Sequence, residues 1–327
     1  MNKNLTQNFL EKKLISKKNR YSLSEVESNY IKKLFQNKNI FIAGACGSIG
    51  CEFVFKIINY KFKKLLLLDK DENNLTDLNR KIIFKKKKNV EYICSDLTSF
   101  NLDNFIKKNK IHIYLNFAAV KHVRSEENLD SIKYMLKTNS VNFCPKFRNK
   151  LKVFFSISSD KSVNPSSLLG FSKYLMEKRL MFFSKKFPQI HISTSRFANV
   201  AFSRGSYLEY VLMRIKNKLT FGIPMNISRY FITKQEATSL CLRSLLPKSK
   251  NKIIVPNPKT LKNDINLYDI VLKILKINNF KPLFTKNISK VKNKNYPVIK
   301  QYSKLVGQKT KEEFFYQDEI FLDDKNP

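Results

Sequence analysis

The segment Ile40–Gly50, IFIAGACGSIG, constrains this chain more than any other: Gly44, Gly47 and Gly50 fall three apart at the exit of a short apolar run. The chain holds only seven glycines, so three in one turn mark a backbone that must bend sharply and approach something closely. A strand that turns this way straight into a helix offers the helix's first amides to an anion, because those amides have no partner inside the helix. Gly44 permits the tight turn, Gly47 lets the backbone approach a pyrophosphate, and Gly50 lets the helix pack closely. Ser48 and Ile49 complete the helix start. The expectation is a dinucleotide-binding βαβ unit.

The surrounding pattern agrees. Asn39–Ala43 reads as a buried strand, and Cys51–Asn59 carries Phe53, Val54, Ile57 and Ile58 at helical spacing. Strands are then expected at Lys64–Leu68, Val90–Cys94, Ile111–Phe117, Val153–Ile157 and Ile190–Ser195, with helices at Asn74–Phe84 and Leu102–Lys108 between them. Near-continuous apolar strands alternating with helices predict an α/β fold with a doubly wound parallel sheet of the Rossmann type. Residues 1–38 are polar and Lys-rich, with scraps of helical pattern at Leu23–Leu34, and read as an N-terminal extension, 39–200 as the nucleotide-binding domain, and 201–327 mainly as a smaller C-terminal substrate-binding lobe punctuated by prolines.

Two acidic residues follow successive strands. Asp69, closing LLLLD, would accept hydrogen bonds from an adenosine ribose, which favours NAD; Lys70 beside it keeps NADP as the alternative. Asp96, after YICS, and Leu97 are placed to meet an adenine edge. Either aspartate alone could equally be a strand-end cap; their joint placement is what favours the cofactor.

Composition removes other classes. No stretch reaches the roughly 20 apolar residues that a membrane helix needs, and the start lacks an apolar signal segment, so a cytoplasmic location is expected. The five cysteines are scattered without paired ligand spacing, and no metal site is expected. The formal charge of +36 is spread along the chain rather than gathered with aromatics on one module. That reads as a solvated basic surface, not a specific nucleic-acid footprint.

Beyond the glycine turn come four further segments: Asn116–Val123 (NFAAVKHV), Ser156–Lys173 (SISSDKSVNPSSLLGFSK), Arg196–Ser206 (RFANVAFSRGS) and Ser228–Ala237 (SRYFITKQEA). In this order they resemble the CapD-like polysaccharide biosynthesis proteins, an extended short-chain dehydrogenase family that includes the UDP-N-acetylglucosamine 4,6-dehydratases. Gly307–Phe314, GQKTKEEF, is similar to the family's GEKxxEE, with Gln308 in place of the acid.

The resemblance implies an NAD(P)-dependent lyase that oxidises a nucleotide sugar at position 4, eliminates water between positions 5 and 6, and returns the hydride to position 6. It implies Asp160 as the acid and Lys161 as the base, with Lys173 as the superfamily lysine that holds the nicotinamide ribose. Ala118 and Ala119 would border the cofactor. Lys121, His122, Asn199, Arg204 and Arg229 would meet the sugar, the uracil and the diphosphate, a forked guanidinium being suited to phosphate oxygens. For His122 a plain packing role is an equal alternative. The implied partner is UDP-N-acetylglucosamine, and assembly as a homo-oligomer also follows from the family.

One departure matters. The tyrosine of the superfamily's YxxxK pattern is Leu169, which cannot take a proton, so Ser159 is left to relay it. Three other readings stay open at this point: an epimerase on the same scaffold, a nucleotide-binding homologue that has lost catalysis, and a binder of nucleic acid or membrane surface driven by charge.

Overall fold

Both faces of the central strands are apolar, and the computed structural model shows why: the sheet has a hydrophobic core on each side. The structure describes residues 6–83, 89–146, 150–261, 264–289, 291, 293–302 and 312–320. Its main sheet consists of β1 (Asn39–Ala43), β2 (Lys64–Asp69), β3 (Val90–Cys94), β4 (Ile113–Asn116), β5 (Val153–Ile157), β6 (His191–Ser195) and β7 (Ile253–Ile254). They run in the order β7-β6-β5-β4-β1-β2-β3, all parallel. Reversal of the order between β1 and β4 opens the crevice at which ligands bind in such sheets.

Alternate strand residues serve opposite cores. Ile40, Ile42, Leu65, Leu67, Leu115 and Phe155 face α1 (Glu25–Phe35) and α2 (Ser48–Ile57), through Ile31, Phe35, Phe53 and Val54. Phe41, Leu66, Tyr114, Phe154 and Ile192 face α4 (Leu102–Lys108) and the long α6 (Leu168–Lys186), through Ile106, Met176 and Leu180. Each such side chain fully removed from water stabilises the fold by about 1.5–3 kcal/mol. Helix α3 (Glu72–Ile83) follows β2, and α5 (Leu129–Leu136) precedes α6.

A third core belongs to the C-terminal half, where α7 (Tyr207–Lys216) and α9 (Leu267–Ile277) pack through Leu208, Val211, Ile270 and Ile274. Helix α8 (Lys234–Arg243) packs instead with the first core, through Ala237 and Leu240.

The N-terminal residues differ from the expected polar extension. Leu10, Tyr21, Ile31 and Phe35 are buried. The Arg20 guanidinium grips Glu236 of α8 through Nε at 2.7 Å and Nη2 at 2.9 Å, and also donates to the Phe231 carbonyl. Lysines conceal this packing in the sequence because only a few, widely spaced residues of the segment face inward. Lys85–Lys88 and Gln308 lie outside the described residues. No described helix is long and apolar enough to cross a membrane.

Candidate functional site

A cleft of about 790 Å³ opens along the C-terminal ends of the strands and continues toward the second half of the chain. Its first wall is the glycine turn. Gly44 sits at φ +71°, and a Cβ there would lie 2.4 Å from the Ala118 amide nitrogen; one on Gly50 would lie 2.2 Å from the Gly44 carbonyl oxygen. Side chains are therefore excluded at both positions. Helix α2 begins at Ser48, three residues earlier than the apolar spacing alone suggests, because Gly47 is its N-cap and brings no capping side chain. The first-turn amides of Ser48, Ile49 and Gly50 thus border the cleft without an intrahelical partner. These residues fit a pyrophosphate: the turn admits no Cβ, and uncapped amides need an anion or water.

Asp69 ends β2 and accepts a 2.8 Å hydrogen bond from the Cys46 amide, which fixes one carboxylate oxygen against the turn. Asp96 accepts from Thr98 and, at 2.6 Å, from the Tyr134 hydroxyl. Burial alone would raise the Asp96 carboxyl, but these bonds and the nearby Lys70 charge hold it below its ordinary range. Lys70 itself donates to Tyr134 at 3.1 Å. Leu97 is buried beside this group, and both it and the Asp96 carboxylate line the cleft.

The β4 exit, Ala118–Ala119–Val120, is pinned from behind. After α5 the chain makes a π-helical turn, Lys137–Val141, that buries Asn139. The Asn139 amide accepts from the Val120 nitrogen at 2.9 Å, donates to the Val120 carbonyl at 2.9 Å and donates to Ser172 at 3.0 Å. This side chain ties the β4 exit to the helix that carries Lys173. Sequence reasoning missed both α5 and Asn139; an asparagine in a Lys-rich stretch carries no local signal. The Lys173 amine is buried, donates to the Ile157 carbonyl at 3.0 Å, and is pushed down to about 8 by burial against the pull of Glu177.

The dipeptide after β5 forms a single 3₁₀ turn capped by Ser159. Asp160 is 3% exposed, and one of its oxygens, Oδ1, accepts from the Ser159 hydroxyl at 2.8 Å and from the Lys161 amine at 3.3 Å. Leu169 is buried at the first turn of α6 and lines the same cleft, leaving an apolar surface where a tyrosine hydroxyl would otherwise stand.

The opposite wall comes from the second half of the chain. Lys121 donates to the Arg204 carbonyl at 2.5 Å, and the Arg204 amide donates to the Ser48 hydroxyl at 2.8 Å, joining the two walls. Burial lowers the Lys121 amine, and burial with the Lys121 charge lowers His122. Asn199 and Arg229 both meet Glu312: the Asn199 amide donates to it, the Arg229 guanidinium lies 3.3 Å away, and the Tyr230 amide donates at 2.9 Å. The structure thus gathers every expected site residue around one cleft. Glu312 is an addition; the GEKxxEE-like tail was the signal that could have singled it out.

Fold and cleft together define a doubly wound, Rossmann-type protein with its cleft at the C-terminal ends of the strands. The polysaccharide biosynthesis protein model matches residues 40–324, and the chain belongs to that family. It is 26% identical to the capsular polysaccharide biosynthesis protein CapD of Staphylococcus aureus over 67% of this chain, a region that spans 38% of CapD's own length. It is 25% identical to an inverting UDP-N-acetylglucosamine 4,6-dehydratase of Campylobacter jejuni over 70% of each chain. Among solved structures, Pen from Bacillus thuringiensis superposes with a TM-score of 0.66 at 22% identity, covering 87% of this chain and 84% of that one, and shares the fold.

Proposed function

We infer that the cleft holds NAD along the glycine turn and a nucleotide sugar against the opposite wall, and that the protein is a UDP-N-acetylglucosamine 4,6-dehydratase. The observation that carries this reading is the Ser159–Asp160–Lys161 cluster, in which a hydroxyl and an amine converge on one buried carboxylate oxygen. An acid and a base side by side are what elimination needs and what a simple carbonyl reduction does not.

The amides of Ser48, Ile49 and Gly50 would hold the pyrophosphate, Asp69 the ribose, Asp96 and Leu97 the adenine edge, and Lys173 the second ribose, with Ala118 and Ala119 beneath it. NAD, when bound, supplies a reversible hydride acceptor for the sugar's 4-position. Ser159 takes the 4-hydroxyl proton and passes it along its existing hydrogen bond to Asp160. Asp160 then gives a proton to the departing 6-hydroxyl, which leaves as water. Lys161 removes the proton at position 5 and returns it when the double bond is reduced. Lys121 and His122 border the hexose, while Asn199, Arg204 and Arg229 meet the uridine diphosphate. Leu169 favours this route over an epimerase, which would rely on the tyrosine missing here. NAD is favoured over NADP because Asp69 presents negative charge where a 2′-phosphate would sit.

Incubation with UDP-N-acetylglucosamine and NAD, followed by mass spectrometry, should yield a product lighter by one water. An unchanged mass with inverted stereochemistry would make the protein an epimerase and overturn this reading. Asp160→Asn should slow elimination about 10²- to 10⁴-fold while NAD affinity, measured by calorimetry, stays close to that of the wild type.

A further inference from the structure

Residues 312–320 cross the turn after β5 and are bolted down at several points. Arg196 is 1% exposed and forks between two carboxylates: Glu177 of α6, at 2.8 Å, and Glu319, at 2.6 and 2.7 Å. It also donates to the Phe314 carbonyl at 2.9 Å and stacks on Tyr316 at 5.5 Å. The Tyr316 hydroxyl donates to the Ser162 carbonyl at 2.6 Å, and Asn164 donates to Glu313 at 3.1 Å. Ser162 and Asn164 belong to the stretch just after the Asp160–Lys161 dipeptide. The same strap carries the Glu312 carboxylate into the cleft, onto Asn199, Arg229 and the Tyr230 amide.

A buried carboxylate is costly unless it is paired and hydrogen-bonded. Here the partners are two side chains expected to meet the substrate, and Asp160 and Lys161 line the same cleft. We propose that Glu312 is a positioning residue of this site, fixed by the Arg196-clamped strap, which orients Asn199 and Arg229 and couples its charge to that of the Asp160–Lys161 pair. This rests on the reading of the cleft as a nucleotide-sugar site.

The charges that act on Glu312 come from each element around it. Burial and then the Asp160 charge raise its carboxyl to about 7, opposed by Lys161, by the Tyr230 amide and by Arg229. Loss of its charge would weaken its hold on Arg229, which lies 3.3 Å away, and leave that guanidinium to a diphosphate.

The test uses the full chain without substrate. The carboxyl ¹³C resonance of Glu312, assigned by its loss in Glu312→Gln, should titrate near about 7 in the wild type. It should move to lower pH in Asp160→Asn and to higher pH in Lys161→Met, by roughly one pH unit each, as expected for charges lining the same cleft. Glu319→Gln, which weakens the clamp, should return it toward the ordinary carboxylate range. A titration unmoved in both Asp160→Asn and Lys161→Met overturns the proposal, and all three variants retain Glu312 itself. With UDP-N-acetylglucosamine as substrate, the pH limb near neutrality should vanish in Glu312→Gln and be kept, displaced, in Glu312→Asp. A limb unchanged in Glu312→Gln would also overturn it. Absence of any turnover in the wild type would count against the substrate assignment alone, since the resonance titrations do not depend on it.

Discussion

The two walls of the cleft are built by different means. On the side proposed for the cofactor the parts are close in sequence: the Cys46 amide and the Asp69 carboxylate that it binds are 23 residues apart, one βαβ unit. On the side proposed for the substrate Asn199 reaches Glu312 across 113 residues, and Arg196 reaches Glu319 across 123. The first wall is a local motif on a rigid sheet. The second exists only once distant segments have been drawn together by buried ion pairs, so it should be lost more easily and without taking the first wall with it.

Arg196→Ala gives the strongest way to break that contrast. Removing the guanidinium leaves Glu177 buried and unpaired, which should cost about 3–5 kcal/mol in denaturant unfolding. It should also expose residues 312–320 to proteolysis while the variant still binds NAD. Equal loss of NAD binding would show that the walls are not separable. Gly44→Ala attacks the other wall. The new methyl meets the Ala118 backbone at 2.4 Å in a left-handed conformation, so NAD affinity should fall at least about tenfold, or ~1.4 kcal/mol. The strap should stay protected in that variant.

The smallest effect sharpens the comparison at the N-terminal segment, which braces the second half. Glu11 is 4% exposed, one of its oxygens has no hydrogen-bond partner, and burial raises it to about 7 against the pull of Lys234. Between pH 4.5 and about 7 the folded protein keeps a proton that the unfolded chain has released, so stability falls as pH rises through that window. Glu11→Gln should therefore raise the melting temperature above pH 7, by roughly 2 °C for about 1 kcal/mol, and the gain should shrink toward pH 4.5.

Legibility in the sequence follows the same division. Strands β1, β2, β4 and β5 could be read because they are buried on both faces, which leaves largely apolar runs of strand length; β3, at the sheet edge, and β6, with the sequence HISTS, were legible only from their place in the alternation. The glycine turn could be read because only glycine satisfies its geometry. The two-residue β7 was missed because Ile253–Ile254 is too short to carry a pattern, and α5 because its one buried residue is Met135. Within residues 1–38 the helical pattern at Leu23–Leu34 could be read, and a helix spans Glu25–Phe35, but the burial of Leu10, Tyr21, Ile31 and Phe35 could not, because these residues are too sparse to mark an inward face. Asn139 and Glu177 owe their importance to partners that no local window contains. The resemblance to a known family put Asn199 and Arg229 in view as site residues and held Glu312 only as one letter of its tail motif, 113 residues from its partner Asn199.

Glu177, Glu236, Glu312 and Glu319 share one habit: each is folded inward onto an arginine. In a chain with 62 basic and 26 acidic side chains, that habit drains anions from the exterior and leaves a cationic skin that strains against itself. Dissolved ions relax such a skin within a Debye length of about 8 Å at physiological strength, yet they reach the interior pairs far less. Brine should thus make this molecule sturdier rather than weaker, the reverse of a protein whose opposite charges meet mainly at its surface.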